Sequence, residues 1–192
     1  MKRRIDWSII FVIIMVLAFV VSQTDWFDYD LQSNAGFMGG QEISVSGLWK
    51  SITTQWLHDS VYHLLVNVIV LLYLSHELQK YNSNKENFLI YISGMIFVAL
   101  ALLVFANEEI LYIGNSGAIT GLLGAQMIQL YLSGDKRHKA NAIEVSLLFL
   151  GLTIVIPHIS TLMHLSGFIV GLVFELLCSS RDWMRQKGNK IP

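Results

Sequence analysis

The chain has 192 residues, of which 54% are hydrophobic and only 14% charged, with a net charge of -1. Soluble domains carry about 25% charged residues, so this composition excludes an ordinary soluble domain and points to a membrane protein. The near-zero charge gives no reason to expect a nucleic-acid partner, and the single cysteine, Cys178, excludes an intrachain disulfide. Cys178 closes an apolar run and reads as a small buried or lipid-facing residue.

A helix that spans a bilayer needs about 20 mostly apolar residues. Six segments meet or approach this: 6–22, 62–79, 88–106, 116–133, 142–157 and 161–178. The first, "DWSIIFVIIMVLAFVVS", follows "MKRR" and also resembles a signal peptide. No small-x-small cleavage site follows it, so an uncleaved helix is expected. The fifth segment is the shortest. The first connection, Gln23 to Leu57, is long and holds Trp26, Phe27, Tyr29, Phe37, Trp49 and Trp56. Such rings favour the headgroup level, so this loop is expected to lie in the interface. No repeat or second domain is visible, and residues 1–192 are expected to form one polytopic membrane domain.

Basic residues provide an independent test of this layout, because Lys and Arg collect in cytoplasmic loops. With the N-terminus inside, only Lys50 of the thirteen basic residues falls outside. The outer connections are acidic, with Asp25, Asp28, Asp30, Glu42, Asp59, Glu108 and Glu109. The expectation is therefore six transmembrane helices with both termini cytoplasmic.

Polar groups inside hydrocarbon are costly, and they are candidates for function. In this topology the second, fourth and sixth helices all start on the outer side. His63 and Asn67 share a face near the start of the second helix, with Asn67 ~6 Å deeper. Ser116 begins the fourth, inside "YIGNSGAITGLLGA", and His164 lies one turn into the sixth. Gly117 and Gly121, and likewise Gly167 and Gly171, are spaced as GxxxG, which lets two backbones approach closely. If those faces meet, Ser116 reaches His164.

A serine beside an imidazole is an activated nucleophile with a general base. Asn67, His63 and the free Ser116 amide could then donate to an oxyanion. No acidic residue is placed to orient His164, so a Ser–His dyad is expected rather than a triad. Each feature also has a plainer reading. A serine at a helix start is usually a cap, and an intramembrane histidine often only bonds across helices. A zinc cluster of His58, His63, His158 and His164 is disfavoured because the i, i+5 spacing of the first pair would put their rings on different helix faces. No metal or other cofactor is expected.

Together, "GNSG", "HLLVN" and "HLSGFIVG" resemble the rhomboid intramembrane serine proteases. The resemblance covers roughly Gly36 to Cys178. It implies an all-α, six-helix bundle of the minimal bacterial form, with Ser116 as nucleophile, His164 as base, and His63 and Asn67 at the oxyanion site. His58 matches a further family histidine of structural role. Gly114, Gly117, Gly121, Gly167 and Gly171 then serve the site structurally. The implied substrates are single-pass or other membrane proteins cleaved in or near a transmembrane segment within the lipid bilayer, with the fifth helix and "PHIST" as a candidate lateral gate. Three departures stand out. Thr120 occupies the place of a tyrosine that stacks on the base, Lys50 replaces an arginine in the first loop, and Glu77 and Gln79 both lie near the place of a helix-two glutamate. The competing classes are a weak or inactive rhomboid-like binder of transmembrane helices and a small transporter. A transporter would want ionisable groups deep in the membrane, whereas Glu77, Glu144 and Glu175 lie towards the inner ends.

Overall fold

A computed structural model of the chain describes residues 6–23, 34–40, 43–106, 110–155 and 160–188. Trp26, Phe27, Tyr29, Pro157 and His158 lie outside the described residues. The helices are α1 (Trp7–Ser22), α2 (Val45–Thr53), α3 (Val61–Leu78), α4 (Asn84–Phe105), α5 (Ser116–Leu132), α6 (Lys136–Val155) and α7 (Thr161–Gly188). A 3-10 turn (Thr54–Trp56) follows α2. Two short strands, β1 (Phe37–Met38) and β2 (Leu111–Tyr112), pair antiparallel, with Phe37 opposite Tyr112.

Among the described residues, the windows Val61–Leu78, Asn84–Phe105 and Thr161–Ser179 are long and apolar enough to cross a membrane, and Trp7–Ser22 is a shorter apolar helix. The outer faces carry Ile13, Leu17, Ile69, Phe97, Val104 and Leu177, all exposed. Large apolar side chains all around a bundle are stable in lipid and costly in water. The chain folds as an all-helical, multi-pass membrane bundle.

Local signals set most helix starts. Asp6 caps α1 through the Ser8 amide. Ser60 caps α3 through the His63 amide. Ser83 and Glu86 form a capping box on α4, each bonded to the other's backbone amide. The fifth expected segment begins earlier than its apolar run suggests, at Lys136 rather than Ala142. Asp135 explains the extra turn, since its carboxylate accepts from the Arg137 amide at 2.7 Å and the His138 amide at 3.3 Å. The first connection is not featureless either. It holds α2, whose Ser44 cap accepts from the Gly47 amide, and the 3-10 turn after it.

α5 sits at the centre, with Gly117 to Leu122 and Gly124 to Met127 all buried. Its small residues let neighbouring helices come close. A side chain at Gly167 would overlap the Gly117 carbonyl, and one at Gly171 would overlap the Gly121 carbonyl. Backbone therefore lies against backbone along the α5–α7 seam. α1 packs against this core through Trp7 and Phe11, whose rings lie 5.0 and 4.9 Å from that of Tyr91. Phe11 also stacks on Trp56 at 5.4 Å.

A second polar cluster closes the far end of α5. The buried Glu175 carboxylate of α7 accepts from Asn82 at 2.6 Å and from the Gln129 amide. Gln129 also donates to the Asn82 carbonyl oxygen at 3.1 Å. Thirteen residues separate Ser116 from Gln129, about 20 Å along the helix. The two polar clusters therefore sit at opposite ends of α5.

Gly167→Leu should lower the detergent unfolding midpoint strongly, because overpacking costs about 1–3 kcal/mol or more where backbone blocks relaxation. Gly151→Ala, inside α6 and with nothing within 4 Å of an added Cβ, should leave it unchanged or raise it slightly. Thermal unfolding followed by tryptophan fluorescence measures both.

Candidate active site

The segment entering α5 is held by the first connection, which is itself fastened to α4. Thr54 donates its hydroxyl to the Tyr112 carbonyl. The Thr54 hydroxyl oxygen accepts from the Phe37 amide at 3.1 Å, and its carbonyl accepts from the Gly114 amide at 3.1 Å. Gln55 fastens the same turn to α4 by donating to the Met95 carbonyl at 3.0 Å. Gly114 has φ +106°, in the region favouring glycine, and any Cβ there would lie 2.7 Å from His63 Nε2. Two independent constraints thus require glycine at this position.

Asn115, not Ser116, occupies the cap position of α5. Its buried side chain accepts from the Tyr91 hydroxyl at 2.6 Å and makes no cap bond. Ser116 is therefore the first helical residue, and its hydroxyl does not serve as a cap. The first helical hydrogen bond runs from the Ile119 amide to the Asn115 carbonyl, so the amides before it have no acceptor within the helix.

α7 starts after Ser160, whose hydroxyl accepts from the Met163 amide at 3.2 Å. This puts His164 in the first turn, facing Ser116 across the glycine seam. His164 Nε2 lies 2.6 Å from Ser116 Oγ. Among the described residues, no group bonds His164 Nδ1, and no carboxylate rests on the ring. Thr120 does not touch the imidazole. Its hydroxyl reaches the Gly117 carbonyl at 2.7 Å and the His164 carbonyl at 2.9 Å, tying the backbone of α7 to that of α5. The aromatic neighbour of the base is Phe149 of α6, 6.1 Å away and tilted by 32°.

His63 and Asn67 approach from α3. His63 Nδ1 lies 2.9 Å from Asp59 Oδ1, and its Nε2 faces Gly114. Asn67 is buried, with Nδ2 3.0 Å from His58 Nε2 and 3.7 Å from the place of a Gly114 Cβ. His58 is fully buried, and its Nδ1 donates to the Trp56 carbonyl at 3.2 Å. That bond leaves His58 Nε2 as the acceptor for Asn67, which is possible only for the neutral ring. Burial, then the charge of His63, lower the His58 pKa to about 4.

The helix-face reasoning about His58 and His63 does not hold. His58 precedes the Ser60 cap, so it is not on the helix, and the two rings meet edge-to-face at 5.0 Å. Both His58 nitrogens are nevertheless committed to protein partners, which leaves that ring no lone pair for a metal. Among the described residues, no group of three or more His, Cys, Asp or Glu side chains is placed to hold a metal ion.

A Rhomboid domain matches residues 45–181, a span running from the start of α2 through the dyad and into the last part of α7. The chain belongs to the rhomboid family. It is 30% identical over 165 residues to RHOMBOID-like protein 1 of Arabidopsis thaliana, covering 79% of this chain and 42% of that one. RHOMBOID-like protein 7 of the same plant is 26% identical over 166 residues, covering 84% and 52%. The chain thus spans about half the length of these curated relatives. A Bacillus subtilis (strain 168) relative is 23% identical over 163 residues, covering 83% of this chain and 79% of its own length.

Several contacts of this rhomboid site carry no motif. Phe149 lies in a segment chosen only for hydropathy. Asn115 and Tyr91 belong to different helical segments, and nothing in the sequence pairs them. Asp59 did carry a signal, since it stands four residues before His63, but it was read only as part of an acidic loop.

Two measurements follow. Aromatic contacts contribute about 0.5–1.5 kcal/mol, so Phe149→Ala should lower the unfolding midpoint through its lost contacts with His164 and Phe168, with Phe149→Tyr near wild type. His58 titrates near 4 when folded and near 6.5 when unfolded, so the unfolded chain binds more protons between these values. Its contribution to stability is complete above about 6.5 and is lost as pH falls towards 4. The unfolding midpoint of His58→Gln should therefore depend less on pH in that window than that of wild type.

Proposed function

We propose that the chain is an intramembrane serine endopeptidase that hydrolyses peptide bonds in or near transmembrane segments of membrane proteins. The observation that carries this reading is the 2.6 Å contact between His164 Nε2 and Ser116 Oγ, at the N-terminal ends of two helices whose backbones touch. In this reading the described helices belong to a single six-helix membrane domain of the minimal bacterial form. Its termini are cytoplasmic and its site faces outward.

Ser116 is the nucleophile and His164 the general base. His164 carries its proton on Nδ1 and takes the serine proton at Nε2 as Oγ attacks the scissile carbonyl. The tetrahedral oxyanion is stabilised by the Ser116 amide, Asn67 Nδ2 and His63 Nε2. The imidazolium then gives its proton to the departing amine, leaving an ester on Ser116. Water, deprotonated by the same ring, attacks the ester and regenerates the serine. A dyad suffices because Phe149 and the Thr120 tie to the His164 backbone hold the ring where a carboxylate would otherwise orient it.

A substrate helix must unwind locally before its carbonyl reaches Ser116, so helix-weakening residues near its outer end favour cleavage. α6 is the candidate gate. It packs mainly on α5, with less contact to α7, and it carries Phe149 against the base.

Purified wild-type protein should label with a fluorophosphonate probe, and Ser116→Ala should not label at all. His164→Ala should slow labelling by at least about a thousandfold. A wild-type protein that neither labels nor cleaves any membrane-helix substrate would overturn the assignment.

A further inference from the structure

Asp59 lies one residue before the Ser60 cap of α3 and four before His63. Its Oδ1 is 2.9 Å from His63 Nδ1 and also accepts from the Ser60 hydroxyl at 3.1 Å. Neither the dyad nor the glycine seam requires this contact. Its chemistry nevertheless decides what His63 offers on its other nitrogen, and that nitrogen faces Gly114.

An ionised carboxylate only accepts hydrogen bonds. Burial pushes the Asp59 carboxyl up, but the hydrogen bond and charge of His63, with the Ser60 hydroxyl, outweigh it and hold the group below the usual carboxylate range. Asp59 is therefore ionised, and the Nδ1 of His63 must carry a proton. Two states of the ring remain. In the neutral one, Nε2 presents a lone pair to the oxyanion site and repels the developing charge. In the imidazolium, Nε2–H donates to it. Nearby groups permit the second state. His58, in edge contact with His63, is neutral because Asn67 and Trp56 occupy both of its nitrogens. His164 on α7 also lies within range of a charge on His63, and it must be neutral to act as base.

We propose that Asp59 is a positioning residue of the oxyanion site: it accepts the Nδ1 proton of His63, so that His63 donates from Nε2 as an imidazolium. This rests on the protease reading for its purpose but not for its geometry. No proton is transferred in the proposed interaction. The cation is present before attack and remains a hydrogen-bond donor throughout. The Asp59 side chain is 60% exposed and that of His63 28%, so water screens the pair and the effect on rate is moderate.

The test is the pH profile of fluorophosphonate labelling for wild type, Asp59→Asn and Asp59→Glu. In wild type, labelling should decline towards alkaline pH, because a neutral ring held by Asp59 through Nδ1 presents a lone pair to the oxyanion. In Asp59→Asn the neutral-pH rate should fall about fivefold, as a charge-assisted donor gives way to a neutral one. The alkaline decline should also flatten, because the neutral ring is free to move its proton to Nε2. Asp59→Glu should restore the wild-type shape. A merely structural residue would scale the whole profile without changing its form. A wild-type profile in Asp59→Asn would overturn the proposal.

Histidine-selective ¹⁵N NMR in detergent addresses the geometry without any reaction. At alkaline pH, His63 should carry its proton on Nδ1 in wild type and on Nε2 in Asp59→Asn. A wild-type ring protonated on Nε2 would overturn the proposal whether or not the serine reacts. Absence of all labelling with the expected Nδ1 proton would instead overturn the protease reading and leave the Asp59 contact standing.

Discussion

Backbone meets backbone where α5 crosses α7, and the rest of the molecule is arranged around that contact. Gly167 and Gly171 leave no room for a side chain between them and the carbonyls of Gly117 and Gly121. Such approach exposes helix faces to each other at a distance only glycine tolerates. It also fixes how far the first turn of α7 stands from the first turn of α5. A hydroxyl and an imidazole on those two turns then meet at hydrogen-bond distance. Thr120 reinforces the same seam from the α5 side by bonding the His164 carbonyl.

The site draws on elements that are packed to different degrees. Ser116, His164, His63 and Asn67 stand on α5, the most buried element, and on helices packed around it. Phe149 comes from α6, which packs mainly on α5 and less on α7. The ring beside His164 is thus supplied by a less closely packed helix than the serine and histidine themselves.

Hydropathy made the membrane helices legible, because lipid demands long apolar runs and tolerates few exceptions. It failed at the start of α6, where Asp135 nucleates a turn of Lys and Arg residues that no apolar pattern marks. It was silent on α2, which has too few apolar residues to stand out from its loop. Ser116 and His164 were legible as a pair because the GxxxG spacings on their two helices implied a shared face. That Asn115 occupies the cap position of α5 and turns its side chain to Tyr91 was not, since a serine, an equally good capping residue, sits next door. Helix geometry does not apply to His58, because it lies two residues before the Ser60 cap and so outside the helix. Phe149 could not be found without three-dimensional proximity, since hydrophobic residues at helical spacing are ubiquitous in such a segment.

The Thr54 anchor has a consequence for how such a molecule tolerates different membranes. A bilayer that thickens or thins acts on its helices mainly by changing their tilt. The strand pair and the segment before Ser116 are tied to Thr54, and Gln55 of the same turn donates to the Met95 carbonyl of the spanning helix α4. The backbone leading into the serine is therefore referenced to that turn and, through it, to α4. Where lipid composition tilts the other helices, the turn, the strand pair and the approach to the Ser116 hydroxyl therefore follow α4 as one unit.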